Sequence, residues 1–176
     1  MTILYADSLF LKHDTGTLPE NTARFLPVMR RANQIAIHAG CLQRSWGEVS
    51  DLRLERVHTR EYIEFVKEFC LQGGGFIAED TVVCPESYAV ARMAVGAVCD
   101  AVEQVVKGLD ERAFCLVRPP GHHATASAAL GFCLFNNVAV GARLALDELG
   151  LERVLIVDWD VHHGDGTQDI FWEDGQ

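Results

Sequence analysis

Two short apolar runs, each leading straight into a polar cluster, constrain this chain most. Ala113-Phe114-Cys115-Leu116-Val117 runs into Arg118-Pro119-Pro120-Gly121-His122-His123. Arg153-Val154-Leu155-Ile156-Val157 runs into Asp158-Trp159-Asp160-Val161-His162-His163-Gly164-Asp165-Gly166. A continuous apolar run of this length predicts a strand buried on both faces, as in a parallel sheet. Between the runs, Asn136 or Asn137 is placed to cap a helix reaching to about Leu149, with Gly150 where a C-terminal glycine belongs. Strand, helix, strand in that order predicts two parallel strands joined by a right-handed crossover.

The rest of the chain fits an α/β protein. Residues 86–107 carry small and apolar side chains at helical spacing, with Pro85 near the start and Gly108 just past the end. A strand near 2–5 and helices near 22–39 and 60–71 complete the reading. Gly73-Gly74-Gly75 is expected to end the third of these elements, because glycine accepts the left-handed conformation. A phosphate-binding role for it is disfavoured, since no strand precedes it and no Lys-Ser or Lys-Thr follows.

At 176 residues, with 49% hydrophobic and 23% charged side chains, the chain suits one soluble domain. Its net charge of −10 argues against sequence-independent nucleic-acid binding, which needs a basic surface. An acidic surface would instead attract a cationic substrate. Cysteines 41, 70, 84, 99, 115 and 133 form no CxxC pair, so free thiols in a reducing cytoplasm are expected. No signal peptide or membrane span is legible, because the apolar stretch at 89–106 is broken by Arg92, Asp100 and Glu103.

In open parallel sheets, ligands bind beyond the carboxyl ends of the strands, so both polar clusters fall on the functional edge. If the two strands are neighbours, the clusters face each other. Asp158, Asp160 and His162 alternate along a segment leaving a strand, which points them to one side while the chain is extended. A carboxylate and an imidazole there suit zinc, and the further carboxylates at 158 and 165 are placed to orient histidines. The bland alternative is a solvated acidic loop; five ionisable groups in eight positions make it the poorer account. His122 and His123 sit on a turn stiffened by Pro-Pro-Gly, and imidazole titrates near neutrality. Read alone, they serve proton transfer, bind metal, or are ordinary loop residues. His13, His38 and His58 take structural readings.

Three segments together resemble the histone deacetylase family, which includes acetylpolyamine amidohydrolases and acetoin-utilisation proteins. They are Arg-Pro-Pro-Gly-His-His-Ala at 118–124, Gly-Phe-Cys-Leu-Phe-Asn-Asn-Val-Ala at 131–139, and Asp-Trp-Asp-Val-His-His-Gly-Asp-Gly-Thr-Gln at 158–168. Trp159 and Thr167-Gln168 look class II-like. Pro19-Glu20-Asn21 and Arg24 match a further family element, with Leu18 where many members have histidine.

The resemblance implies a three-layer α/β/α fold with a mainly parallel sheet, arginase/deacetylase-like and truncated, residues 1–176 forming the N-terminal portion of a single domain. It implies zinc on Asp160 and His162, with a structural potassium ion in many members. His122 would pair with Asp158, and His123 with Asp165, in proton transfer. Gly131 and Phe132 would line a channel for an acyl-lysine or acyl-amine chain, and Arg24 would lie near its inner end. The third metal ligand and a tyrosine that stabilises the oxyanion are expected after Gln176. The expected partner is an acetylated lysine or amine, with homo-oligomerisation possible and no nucleic acid or membrane involved. A non-catalytic half-domain that pairs with another chain is the alternative. An arginase-like two-metal hydrolase is disfavoured, because its Asp-Ala-His-x-Asp pattern is absent.

Overall fold

A computed structural model describes residues 2–175. Its centre is a parallel sheet of order β2-β1-β5, formed by β1 (Ile3–Ala6), β2 (Leu42–Gln43) and β5 (Ala113–Leu116). Ile3 registers with Leu42 on one side and Ala113 on the other. Successive side chains alternate between faces. Ile3 and Tyr5 pack with Ala97 and Ala101 of α4 (Ser87–Val106). Leu4 and Phe114 instead border a groove lined by Val28, Ile35 and Ala36 of α1 (Thr22–Ala39). Helices therefore cover opposite faces, giving the expected α/β/α layering.

The helices begin and end where the sequence says they should. Asn21 Oδ1 accepts from the Arg24 amide to cap α1, and Gly40, at φ 65°, ends it. The Cys41 amide reaches back to the Ala36 carbonyl there, satisfying carbonyls that the last turn leaves open. Thr59 caps α3 (Arg60–Leu71), which follows the short α2 (Asp51–Leu54). Asn136 caps α5 (Asn137–Asp147) through the Ala139 amide at 3.1 Å. The glycine run after α3 has positive φ throughout and leads into a hairpin, β3 (Gly75–Phe76) with β4 (Val82–Val83).

Helix α4 is rich in alanine and lies against α5, where Gly141 abuts a Val98 methyl. Leu134, Phe135, Val140 and Leu144 are at most 1% exposed in the core beside it. Each such side chain stabilises the fold by about 1.5–3 kcal/mol. All six cysteines are free, and burial pushes the Cys99, Cys115 and Cys133 thiols up to about 12, so they remain protonated. No helix is long and apolar enough to cross a membrane among the described residues.

One expectation fails. Residues 153–157 form no strand and pair with none among the described residues, and Leu155 and Val157 are exposed. A groove of about 720 Å³ separates this segment from β5, floored by α4 and α5. The run is apolar enough for a buried strand, but a strand also needs a neighbour within about 5 Å. The two clusters still meet, for a reason other than strand pairing.

Candidate active site

The first cluster is pinned from behind. The Asn137 side-chain amide donates to the Pro119 carbonyl at 3.1 Å, and Gly121 packs directly on the Asn137 backbone. The Asn136 side-chain amide donates to the Ala124 carbonyl at 3.1 Å and to Thr167 Oγ1 at 3.0 Å. The Thr167 amide in turn donates to the His122 carbonyl at 3.0 Å. The paired asparagines at the start of α5 and the Thr167 of α6 (Asp165–Phe171) thus fix the His-His turn. A β-carbon on Gly166 would strike the backbone of His123 and Ala124, so glycine there lets α6 approach.

That approach brings the two clusters together. His122 Nδ1 lies 2.8 Å from Asp158 Oδ2, and His123 Nδ1 lies 2.6 Å from Asp165 Oδ1. An ionised carboxylate only accepts, so each imidazole donates through Nδ1 and leaves Nε2 for chemistry. The ring centroids are 4.1 Å apart. Partial burial raises the Asp158 carboxyl, but the His122 bond and the Asp160 amide outweigh it and hold Asp158 below its ordinary range. Asp165 behaves alike, with burial opposed by His123 and the Gly166 amide. Both carboxylates are therefore charged at neutral pH and can stabilise an imidazolium.

Asp160 and His162 form the neighbouring pair. His162 donates its backbone amide to Asp160 Oδ2 at 2.8 Å, and its Nδ1 lies 3.0 Å from the same oxygen. These two bonds draw the Asp160 carboxyl below its usual value. A carboxylate oxygen and an imidazole nitrogen are donors of the type that suits zinc. Among the described residues, no group of three or more His, Cys, Asp or Glu side chains converges on a metal position. The ring of His162 lies 6.1 Å from that of His123, which places the donor pair beside the histidine pair. His163 turns away and bonds Gln168 Oε1 at 2.6 Å.

Gly131 and Phe132 occupy a tight turn. Leu130 and Cys133 exchange backbone hydrogen bonds around them, and both central residues have positive φ, 55° and 66°. This is the pattern of a type I′ turn, where Phe132 bears a cost of about 1–2 kcal/mol that glycine escapes. A β-carbon on Gly131 would collide with the ring of His123. The turn therefore backs the His123 ring directly.

Arg24 is exposed and pairs with Glu20 at 3.2 Å. The buried partner of Glu20 is Arg118, 1% exposed, joined through Nε at 2.5 Å and Nη2 at 2.8 Å. Arg118 also donates to the Phe10 carbonyl at 3.0 Å. Its place in the Arg-Pro-Pro-Gly segment gave no hint of this buried, bidentate pairing. His13 and His58 are buried at 1% as structural groups: His13 Nδ1 meets Ser87 Oγ at 2.7 Å, and His58 Nε2 accepts from the Asn136 amide at 2.9 Å.

The layered α/β fold thus sets two carboxylate-held histidines beside an Asp-His pair, an arrangement suited to acid–base chemistry. The family comparison makes this specific: a family model described as Histone deacetylase domain matches residues 18–176. The chain belongs to the histone deacetylase family. It is 35% identical to a probable deacetylase of Methanothermobacter thermautotrophicus, over 99% of this chain and 51% of that protein. It is 40% identical to the polyamine deacetylase HDAC10 of Homo sapiens, over 88% of this chain and 24% of that one. The crystal structure of the HDA15 HD domain superposes with a TM-score of 0.92 at 36% identity, covering 98% of this chain and 51% of that one. The chain thus spans about half the length of the deacetylase and the solved domain it matches, and the mostly parallel sheet with its helices is the shared fold.

Proposed function

We propose that residues 1–176 form the N-terminal portion of a single deacetylase domain that hydrolyses acetyl-amides of lysine side chains or polyamines with zinc. The observation that carries this reading is the pair of His–carboxylate bonds, His122–Asp158 and His123–Asp165, standing beside the Asp160–His162 donors. Asp160 and His162 would hold the metal. When bound, zinc polarises the acyl carbonyl and lowers the pKa of an attacking water. One of the two imidazoles takes the proton from water through Nε2, and the other gives a proton to the leaving amine. Asp158 and Asp165 hold the Nδ1–H tautomers and stabilise positive charge as it forms. Phe132 lines the way in for an extended acyl-amine chain. The acidic surface favours a cationic substrate, such as an acetylated polyamine with its remaining amines or an acyl-lysine peptide with further basic residues.

The test uses the protein that contains this chain, with an acetyl-lysine peptide and an acetylated polyamine as substrates. His123→Ala is expected to retain zinc while turnover falls by about 10²–10⁴-fold. Normal turnover in that variant contradicts the relay. If neither substrate turns over in the zinc-loaded parent, the non-catalytic reading prevails.

A further inference from the structure

The turn that backs His123 is itself held by two side chains that no motif signalled. Asp80 and Thr81 lead from the β3–β4 turn into β4. Asp80 Oδ1 accepts from the Gly131 amide at 3.1 Å, and Thr81 Oγ1 accepts from the Phe132 amide at 3.0 Å. Thr81 Oγ1 in turn donates to Asp80 Oδ1 at 2.9 Å. Thr81 is fully buried, and its own backbone is fixed by hydrogen bonds with Ile77 and Ala78. Two consecutive amides of a positive-φ turn, 51 residues away in sequence, are thus captured by two consecutive side chains.

A primed turn with phenylalanine at its second central position is unfavourable by itself, since that place suits glycine or asparagine. Its central amides have no acceptor within the turn. Asp80 and Thr81 supply both acceptors, and the conformation they stabilise is the one that presses Gly131 against the His123 ring. The ring edge at Cδ2 meets Gly131, while Nδ1 is bonded to Asp165. The imidazole is therefore held between a hydrogen bond and a wall.

We infer that Asp80 and Thr81 are positioning residues for His123, acting through the Leu130–Cys133 turn. Their effect on turnover rests on the hydrolase reading above; their effect on the His123 ring does not. An aromatic ¹H–¹³C NMR spectrum of the protein that contains this chain reads the ring directly through its Cδ2–Hδ2 signal. Asp80→Ala and Thr81→Val are expected to move the His123 signal while that of His58, in the core, stays in place. Asp80→Asn and Thr81→Ser keep an acceptor oxygen and are expected to restore it. In the acetyl-peptide assay the same two damaging variants lose about 10- to 100-fold in kcat, as a small misplacement of a proton-transfer group does, and Asp80→Asn recovers it.

An unmoved His123 signal in folded Asp80→Ala and Thr81→Val overturns the inference. Should Asp80→Ala fail to fold, Asp80→Ala/Phe132→Gly decides the matter. Glycine takes positive φ freely, so the double variant is expected to fold with a native His123 signal, and a displaced signal or an unfolded protein counts against the clamp. A parent protein with no turnover removes the hydrolase reading and leaves the NMR result standing.

Discussion

Asp158 Oδ2 meets His122 Nδ1 at 2.8 Å although the segment before Asp158 pairs with no strand among the described residues. The contact is made by loops and by α6 rather than by sheet register. Asp158→Asn keeps the shape but loses the charge that steadies an imidazolium. It is expected to lower turnover of the native protein by about 10²-fold or more, and to shift the unfolding midpoint little, because the pair is partly exposed. Steady-state assays beside urea titrations check both halves.

Asp160→Ala and His162→Ala are each expected to abolish stoichiometric zinc in the native protein, measured by elemental analysis after gel filtration. Removing one donor from a small ligand set loses affinity far beyond the roughly 10–100-fold typical of outer-shell changes. Full zinc retention in both variants sinks the ligand assignment.

The Glu20–Arg118 pair is buried and bidentate. Glu20→Ala would leave a guanidinium without its counter-charge, at a cost of about 3–5 kcal/mol. Arg118→Met/Glu20→Gln, which removes both charges, is expected to recover much of that loss. Urea unfolding of the single and double variants distinguishes a paired charge from a merely bulky core residue.

Burial holds His58 and His13 neutral, with pKa values lowered to about 4 from 6.5. As pH falls, the unfolded chain takes up protons first, so their contribution is full above about pH 6.5 and is lost on the way to pH 4. For His58 the loss is on the order of 3 kcal/mol. Urea midpoints measured from pH 8 to 4.5 should fall more steeply in the parent than in His58→Gln, whose neutral side chain can still accept from the Asn136 amide.

Gly166→Ala is expected to destabilise by about 1–3 kcal/mol, since its β-carbon meets backbone that cannot swing aside. It should also loosen the Asp165–His123 contact, read as lost turnover at unchanged zinc content.

Local rules made much of this legible. Asn136 and the glycine run act at a cap and a turn, where the chemistry of one residue decides the backbone. The site pairs were legible because long motifs carry them, and the His122–Asp158 and His123–Asp165 bonds lie where the resemblance implied. Residues 153–157 misled, because apolar content shows that a segment wants burial without showing what lies beside it. Asp80 and Arg118 went unread for a related reason. Their partners, Gly131 and Glu20, stand 51 and 98 residues away, and no periodicity encodes such a pairing.

The two adjacent histidine rings are moored to different ground. The His123 ring answers to Asp165 of α6 and to a clamped turn, while the His122 ring answers to Asp158, at the end of a stretch that pairs with no strand among the described residues. Elements with so few neighbours open first when a protein is warmed. Gentle heating should therefore loosen the Asp158 side of the His122 bond before it disturbs the His123–Asp165 contact.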